Sequence, residues 1–318
     1  MNDGLSKRTS TLLALAALAL ASVLLLMPVP VFGRAGRALL DLIHAPMFAL
    51  LSAFAYILFV GNKAPRRWRS AVAIWLVLAT LGVAAELLQG RVGRNASVQD
   101  AFANVMGAAI GLVWVAGREC PHSSQRLLTK GAAVGLLLAA YAYPLLILWD
   151  VYLAYRSFPL LASFEQPIEP DRWTPLNAKL SRSQKYASDG SWSLQIDCEI
   201  AKYSSAVLTV PARDWSPYHE LVFDLFWDPP GSIPTRDLIL PVIVKVQDQH
   251  HNHHKEDRFQ RRVKLPAGQS YEVRIPLSQV ASAPRDRVMD LGRIKKVEIF
   301  TVQPQKRWTL YLDNMRLE

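Results

Sequence analysis

Polar side chains interrupt three apolar stretches in the first third of the chain, and each carboxylate has a polar neighbour three or four residues away. The pairs are Asp41 with His44, Glu86 with Gln89, and Asp100 with Asn104. A carboxylate at membrane depth is energetically expensive, so such groups mark candidate functional sites. Glu86 or His44 could act as a general acid or base, and Glu86 could carry a proton in an ion-coupled carrier.

Two arginines, Arg91 and Arg94, lie beside glycines between Glu86 and Asp100. Because the N-terminus of a helix follows them, they could bind a phosphate or a carboxylate. They could instead only neutralise the two carboxylates. Asp100 follows Ser97 by three residues, the spacing of a capping box, so it could simply satisfy free amide groups.

Five apolar stretches contain or flank these residues. Hydrophobic residues make up 51% of the 318 residues, and the mean hydropathy of +0.13 is high for a soluble protein. Each stretch approaches the roughly 20 residues that a helix needs to cross a bilayer. The sequence therefore predicts about five transmembrane helices, at residues 11–32, 44–61, 70–88, 101–116 and 131–151.

Loop charges predict the orientation, because Lys and Arg accumulate on the cytoplasmic side of short loops. The N-terminal tail, the loop after the second stretch and the loop after the fourth carry nine Lys and Arg residues. The loops after the first and third stretches carry four. The N-terminus is then cytoplasmic, and residues 152–318 lie on the extracytoplasmic side of the membrane. The six polar side chains converge in one layer of the outer leaflet. The first stretch could instead be a signal peptide cleaved near residues 19–21, without change to the remaining topology.

One face of the fourth apolar stretch combines polar and small residues. Asp100, Asn104, Gly107 and Gly111 recur at intervals of four, three and four, so they share a helix face. Gly107 and Gly111 form a small-xxx-small pair that lets another helix approach closely. We therefore expect the polar groups to face the interior of the bundle.

The charge distribution bears on the binding partners of the chain, and the cysteine content bears on its disulfides. Residues 1–151 hold thirteen Lys and Arg against six Asp and Glu, and so contribute +7 of the net charge of +10. This basicity belongs to membrane loops and could contact anionic lipid head groups; it does not indicate nucleic-acid binding. The two cysteines fall on opposite sides of the predicted membrane, so no disulfide framework is expected.

The order of these motifs resembles the VanZ-like membrane proteins over about residues 11–118. The matching pieces are Asp41-Leu42-Ile43-His44 with Phe48, Glu86-Leu87-Leu88-Gln89 with Arg91 or Arg94, and Asp100-Ala101-Phe102-Ala103-Asn104 with Gly107 and Gly111. The family is named after a protein associated with low-level teicoplanin resistance. The resemblance implies a setting in the bacterial inner membrane and cell envelope, and it implies no particular reaction.

Beyond the last apolar stretch the pattern alternates between apolar and polar residues. Such alternation predicts short strands at residues 192–198, 205–210, 220–226, 237–246, 271–275, 296–302 and 308–312. Many short strands without intervening helices indicate an antiparallel sandwich. We expect a multi-domain membrane protein, with a transmembrane helical domain at 1–151, a linker at 152–162 and an extracytoplasmic all-β jelly-roll sandwich at 163–318.

This half resembles the galactose-binding-like jelly rolls of carbohydrate-binding modules. The matching pieces are Phe164-Glu165 with Trp173, Ala187-Ser188-Asp189-Gly190 with Ser193-Leu194, Asp214-Trp215-Ser216, and Leu312-Asp313-Asn314. In such modules the first and last strands often share a structural calcium ion. The resemblance implies that Glu165, Asp189 and Asp313 could supply its oxygen ligands. Carboxylates at strand ends could also be merely solvated.

Sugar binding requires exposed aromatic faces beside hydrogen-bonding groups. The candidates are Trp173, Trp215, Tyr218 and Trp227, and Trp227 is favoured as an exposed platform because it ends a strand before Asp228. Trp192 and Trp308 lie within strand patterns and are assigned to the core. The histidine-rich segment 248–259 could bind zinc or copper, but a polar hairpin loop is the preferred interpretation.

No nucleotide-binding glycine loop, paired-cysteine zinc spacing or Gly-x-Ser-x-Gly motif is visible in the sequence. The leading hypothesis is a non-enzymatic envelope protein, linked to glycopeptide resistance, whose outer sandwich binds a glycan or another wall component. Two alternatives stay open. The helical bundle could be an enzyme acting on a lipid-linked envelope precursor, or a proton- or ion-coupled carrier.

Overall fold

The computed structural model describes residues 33–60, 67–91, 97–211, 213–229, 239–303 and 306–318. The chain divides into two compact units, Met1–Trp149 and Asp150–Glu318. The described part of the first unit is helical, and the second is dominated by antiparallel β-sheet. The predicted combination of an apolar helical bundle with a following β-sandwich is confirmed.

Four helices of the described chain are long and apolar enough to cross a membrane. They are α1 (Gly33–Phe59), α2 (Arg67–Arg91), α3 (Val98–Glu119) and α4 (Ser123–Ser157). From Asp150 onward, α4 belongs to the second unit. The first predicted transmembrane helix, at residues 11–32, lies outside the described residues.

The helices extend beyond the apolar stretches, most of all at the start of α1. Residues 33–43 are helical although Arg34, Arg37 and Asp41 interrupt the apolar pattern, because Ala, Leu and Arg all favour a helix. The predicted start of this helix at residue 44 is wrong, because Asp41 and His44 both lie well inside the helix. At 1.5 Å per residue they lie about 12–17 Å from its first residue.

Glycines allow α1 and α3 to approach closely. A Cβ atom added to Gly107 would fall against the carbonyl oxygen of Ala45, and one added to Gly111 would fall against that of Ala49. On α2, a Cβ at Gly82 would lie 2.9 Å from the Cβ of Asn104. The predicted small-xxx-small contact is confirmed, and it brings the polar residues of these helices within reach of one another.

The second unit is a sandwich of two antiparallel sheets. Its elements are β1 (Leu160–Ala162), β2 (Trp173–Leu176), β3 (Ala178–Ser183), β4 (Ser193–Cys198), β5 (Tyr203–Thr209), β6 (Glu220–Asp228), β7 (Ile239–Asp248), β8 (Phe259–Pro266), β9 (Ser270–Pro276), α5 (Leu277–Ala281), β10 (Ile294–Val302) and β11 (Trp308–Leu317). The six-stranded sheet has the order β3-β4-β11-β6-β9, with β1 paired to β11. The five-stranded sheet has the order β2-β5-β10-β7-β8.

All seven predicted strands are present, and the sequence pattern missed four. β1, β2 and β3 are short or weakly apolar, and β8 carries three basic residues within Phe259–Pro266. The residues expected to form a linker, 152–162, contain the end of α4 and all of β1. Side chains of alternate residues fill the space between the sheets, as with Leu221, Phe223 and Leu225 of β6.

A buried ion cluster lies where α4 leads into the sandwich. The guanidinium of Arg172 donates to Asp150 from Nη2 at 2.7 Å and to Glu169 from Nη1 at 3.2 Å. Asp150 is fully buried, and Arg172 is 8% exposed. Burial raises the pKa of the Glu169 carboxyl, while the charge of Arg172 and the amide of Ser163 act in the opposite direction. Arg172 therefore offsets the desolvation of two carboxylates at once.

We expect Gly107→Ala to lower the free energy of unfolding of the helical unit by about 1–3 kcal/mol, because the added methyl group must push α1 away. Gly135→Ala is the matched control, since no described atom lies within 4 Å of a Cβ at that position. It should leave stability unchanged or raise it by up to about 1 kcal/mol. Denaturant unfolding in detergent micelles measures both. Equal losses would contradict the close approach of α1 and α3.

Arg172→Met should destabilise the second unit by about 3–5 kcal/mol, because two buried carboxylates lose their shared cation. Arg274→Met is the control: Arg274 pairs with Glu220, Glu272 and Glu318, yet its side chain is 44% exposed. Its loss should amount to about 1 kcal/mol or less. Urea unfolding of the full chain, followed by near-ultraviolet circular dichroism, compares the two. A smaller effect at Arg172 would refute this role.

Candidate functional site

A cleft of about 370 Å³ opens on the outer face of the six-stranded sheet. Three aromatic side chains and several polar ones line it. We call it the aromatic cleft; its residues are Tyr186, Ala187, Ser188, Asp224, Leu225, Phe226, Ser270, Tyr311 and Asp313.

Strand register sets the positions of the aromatic and acidic residues in the cleft. Tyr311 of β11 pairs with Phe226 of β6, and Asp313 pairs with Asp224, so both pairs lie on the outer face. Tyr186 comes from the loop between β3 and β4 and stacks on Phe226, with ring centroids 3.7 Å apart and planes at 16°. The ring of Tyr311 meets Tyr186 edge-on at 4.9 Å. The three rings form one apolar wall.

Carboxylates hold the loop that carries Tyr186. Asp313 Oδ2 accepts hydrogen bonds from the backbone amides of Ser188, at 2.7 Å, and Asp189, at 3.0 Å. Asp224 Oδ2 accepts one from Ser188 Oγ at 2.7 Å. Burial raises the pKa of the Asp313 carboxyl, and the two amides oppose that shift. These bonds fix the loop, and therefore the ring of Tyr186, over the sheet.

Two of the three carboxylates predicted to hold calcium accept hydrogen bonds from loop amides, and calcium binding by Glu165, Asp189 and Asp313 stays a prediction. Glu165 Oε1 accepts the amides of Ser191 and Trp192, both at 2.8 Å, and Asp313 is occupied as described above. Glu165, Asp189 and Asp313 are not among the described groups of three side chains whose ligand atoms lie within 4.8 Å of one another. The carboxylates of Glu165 and Asp313 stabilise loop backbone.

The predicted aromatic platforms lie in the core. Trp227 is 1% exposed and packs edge-on against Trp308, with ring centroids 5.3 Å apart, so its prediction as an exposed platform is wrong. Trp215 and Trp173 are also buried, and Tyr218 is half-buried against the ring of Phe158. Alternation explains the error: Trp227 shares the inward face of β6 with Leu225, whereas Phe226 faces outward.

The sequence alone shows which side chains of β6 face inward and which face outward. Within Glu220–Asp228, Leu221, Phe223, Leu225 and Trp227 alternate with Val222, Asp224, Phe226 and Asp228. The face that holds the carboxylates is the solvent face, so Phe226 is the aromatic residue of β6 that the pattern places on the solvent face. Tyr311, between Leu310 and Leu312, points to the same face, but it is only 3% exposed because Tyr186 packs against it. Tyr186 lies in a loop and carries no such signal.

The polar residues of the helices form a second site, which we call the helix cluster: Asp41, His44, Glu86, Asp100 and Asn104. His44 Nδ1 lies 3.0 Å from Asn104 Oδ1, which joins α1 to α3. The Asp41 carboxyl contacts Asp100 and neighbours His44. Glu86 of α2 is 3% exposed, and its Oε2 accepts the Ser97 amide at 3.3 Å. The structure thus brings together residues that are up to 63 positions apart in the chain.

The remaining residues predicted for this layer are only partly described. Ser97 Oγ accepts the amide of Asp100 at 3.1 Å, so Ser97 caps α3. Arg91 is exposed at the end of α2. The side chain of Gln89 and all of Arg94 lie outside the described residues. Anion binding by the two arginines stays a prediction.

The histidine-rich segment forms the hairpin loop between β7 and β8, as predicted. Arg287 bridges two carboxylates beneath it, with Nη2 2.8 Å from Asp248 Oδ1 and Nε 2.5 Å from Asp257 Oδ1. Arg287 lowers the pKa of Asp257. For Asp248, burial alone would raise the pKa, but the bonds from Arg287 and from the Asp290 amide outweigh it, so that pKa is also lowered.

No protein-family model matches the chain, and no curated protein is similar to it in sequence. Solved structures resemble its C-terminal half. The family 11 carbohydrate-binding module from Clostridium thermocellum, in complex with a β-1,3-1,4-mixed-linked tetrasaccharide, is 16% identical with a TM-score of 0.38. That similarity covers 50% of this chain and 93% of the module.

Two further structures show the same range of similarity. A non-crystalline cellulose-specific module, CBM28, is 15% identical with a TM-score of 0.36, over 51% of this chain and 94% of the module. An exo-β-agarase is 20% identical with a TM-score of 0.39, over 50% of this chain and 25% of the agarase. The chain thus spans about a quarter of the agarase.

The ion cluster of Arg287 with Asp248 and Asp257 predicts that the stability of the sandwich depends on pH. Both folded-state pKa values lie below the ordinary value of 3.8, so the stabilisation is fully present above about pH 4 and is lost as the pH falls further. The difference in melting temperature between wild type and Arg287→Gln should therefore be largest near about pH 7 and shrink towards about pH 3. A constant difference across that range would contradict this assignment.

Proposed function

We propose that this protein is a non-enzymatic, membrane-anchored glycan-binding protein of the bacterial cell envelope. Its helical part is VanZ-like, and its sandwich binds glycan in the aromatic cleft. One observation supports glycan binding above all: three aromatic rings stand beside carboxylate and hydroxyl groups in a single open cleft.

The chemistry of the cleft matches that of a sugar. The C–H face of a pyranose packs on aromatic rings, and its hydroxyl groups bond to carboxylates and serine hydroxyls. A volume of about 370 Å³ lies within the range of small-ligand sites, about 300–1,000 Å³. Because Asp224 and Asp313 both face the cleft, it favours neutral or amino sugars and disfavours uronates and phosphate-bearing polymers.

The helices support the anchoring role. Four described helices are long enough to span a bilayer, and the bias of Lys and Arg among the loops favours a cytoplasmic N-terminus with the sandwich outside. In this proposal the chain resides in the bacterial inner membrane, its partners are the lipid bilayer and an envelope glycan, and the VanZ resemblance connects it with glycopeptide resistance.

A second candidate function concerns the helical unit. His44, Glu86 and Asp100 converge although they lie on three different helices, and Glu86 is almost fully buried. An enzyme acting on a lipid-linked precursor, or an ion-coupled carrier, would need such a convergence, which supports these as the second candidate. If Glu86→Gln and His44→Ala alter glycopeptide susceptibility while glycan binding is unchanged, the helical unit has an activity of its own.

Tyr186→Ala should weaken glycan binding about tenfold, because the ring that completes the apolar wall is lost. Full-length protein in nanodiscs is first screened on an array of envelope and β-glucan oligosaccharides, and affinities for the positives follow from calorimetry. Asp224→Asn should also weaken binding, through the loss of a charged acceptor.

Tyr203→Ala is the matched control, since Tyr203 is 41% exposed but lies on β5 of the other sheet. It should leave affinity unchanged. If wild-type protein binds no oligosaccharide, or if Tyr203→Ala weakens binding as much as Tyr186→Ala, the cleft is not a glycan site.

A further inference from the structure

The helix cluster contains the elements of a metal site. His44, Glu86 and Asp100 each offer one ligand atom, and these three atoms lie within 4.8 Å of one another. They come from α1, α2 and α3, so folding of the described bundle is what assembles them. One imidazole nitrogen with two carboxylates is a donor set that suits divalent transition metals.

The hydrogen bond of His44 leaves a nitrogen for a metal. Nδ1 lies 3.0 Å from Asn104 Oδ1, which can only accept, so the ring tautomer that suits this contact has its proton on Nδ1. The lone pair is then on Nε2. In metal sites a ligating histidine commonly donates its other N–H to an oxygen that fixes the ring, and Asn104 is placed to do this.

Asn104 supplies an independent observation. It is fully buried, and its Nδ2 has no hydrogen-bond partner among the described residues. A buried amide donor without an acceptor is costly, which indicates that an acceptor belongs beside it. A water molecule or an anionic ligand on a bound metal ion would be such an acceptor.

We propose that His44, Glu86 and Asp100 bind one divalent transition metal ion, of the class of Zn²⁺ or Mn²⁺, between α1, α2 and α3. Asp41 contacts Asp100 and so lies at the edge of this site. Three protein ligands leave coordination positions open, as in metal centres that bind water or substrate. Asn104 is a positioning residue that orients His44 and donates to the group on the metal.

The test uses the full chain without a purification tag of histidines, reconstituted in nanodiscs. Because the β7–β8 loop could bind metal by itself, His250, His251, His253 and His254 are all replaced by Asn in the background protein. After equilibration with Zn²⁺ and removal of free metal, elemental analysis should find about one ion per chain. Co²⁺ should give visible absorption bands of a low-coordinate nitrogen and oxygen site.

Glu86→Gln and His44→Gln in this background should lose the bound ion, and Asn104→Ala should keep it with an affinity about 10–100-fold lower. Glu119→Gln is the control, since Glu119 is a carboxylate of the same helix α3 that accepts a hydrogen bond from Tyr56 at 3.0 Å. It should retain one ion.

The proposal is overturned if the background protein, whose helix cluster is intact, binds no Zn²⁺. That result does not depend on any cluster variant being folded. It is also overturned if Glu119→Gln loses as much metal as Glu86→Gln, or if Glu86→Gln, shown to be folded by its helical circular dichroism, keeps the ion.

Discussion

Both units of this protein are shaped by one constraint: a polar group removed from water must find a partner, or its burial destabilises the fold. In the helical unit, Glu86 meets the Ser97 amide, and His44 meets Asn104. In the sandwich, Arg172 serves both Asp150 and Glu169. Apart from Arg172 with Glu169, which lie three residues apart, these contacts join residues from different elements, so they fix which surfaces pack together more specifically than apolar contacts do.

The helix cluster forms because the backbones of α1 and α3 approach closely. The aromatic cleft forms because successive side chains of a strand point to opposite faces of the sheet. Without side chains at Gly107 and Gly111, α3 can lie against the backbone of α1, and short polar groups such as His44 and Asn104 can then span the gap. In the sandwich, the period of two sends Leu225 and Trp227 inward while Phe226 faces outward. Each site thus depends on a backbone feature more than on any single side chain.

The sequence pattern predicted much of the fold, because both helical and alternating periods are local properties. The strands at 220–226 and 296–302 were predicted to within two residues at each end. The pattern failed where the deciding contact is distant: the pairing of Arg172 with Asp150 joins two elements, and neither residue looks unusual alone. Its place at a strand end predicts Trp227 to be exposed, but the alternation of its neighbours points it inward, where it is buried.

The two carboxylates of the aromatic cleft, Asp313 and Asp224, differ in how many of their oxygens are already hydrogen-bonded. Asp313 Oδ2 accepts the amides of Ser188 and Asp189, and Oδ1 accepts the amide of Asn314 at 2.7 Å. Asp224 accepts its hydrogen bonds from the described residues at Oδ2, which leaves Oδ1 open to a ligand. Asp313 therefore positions the loop that carries Tyr186, while in the proposed glycan site Asp224 is the carboxylate that would accept a hydrogen bond from a sugar hydroxyl.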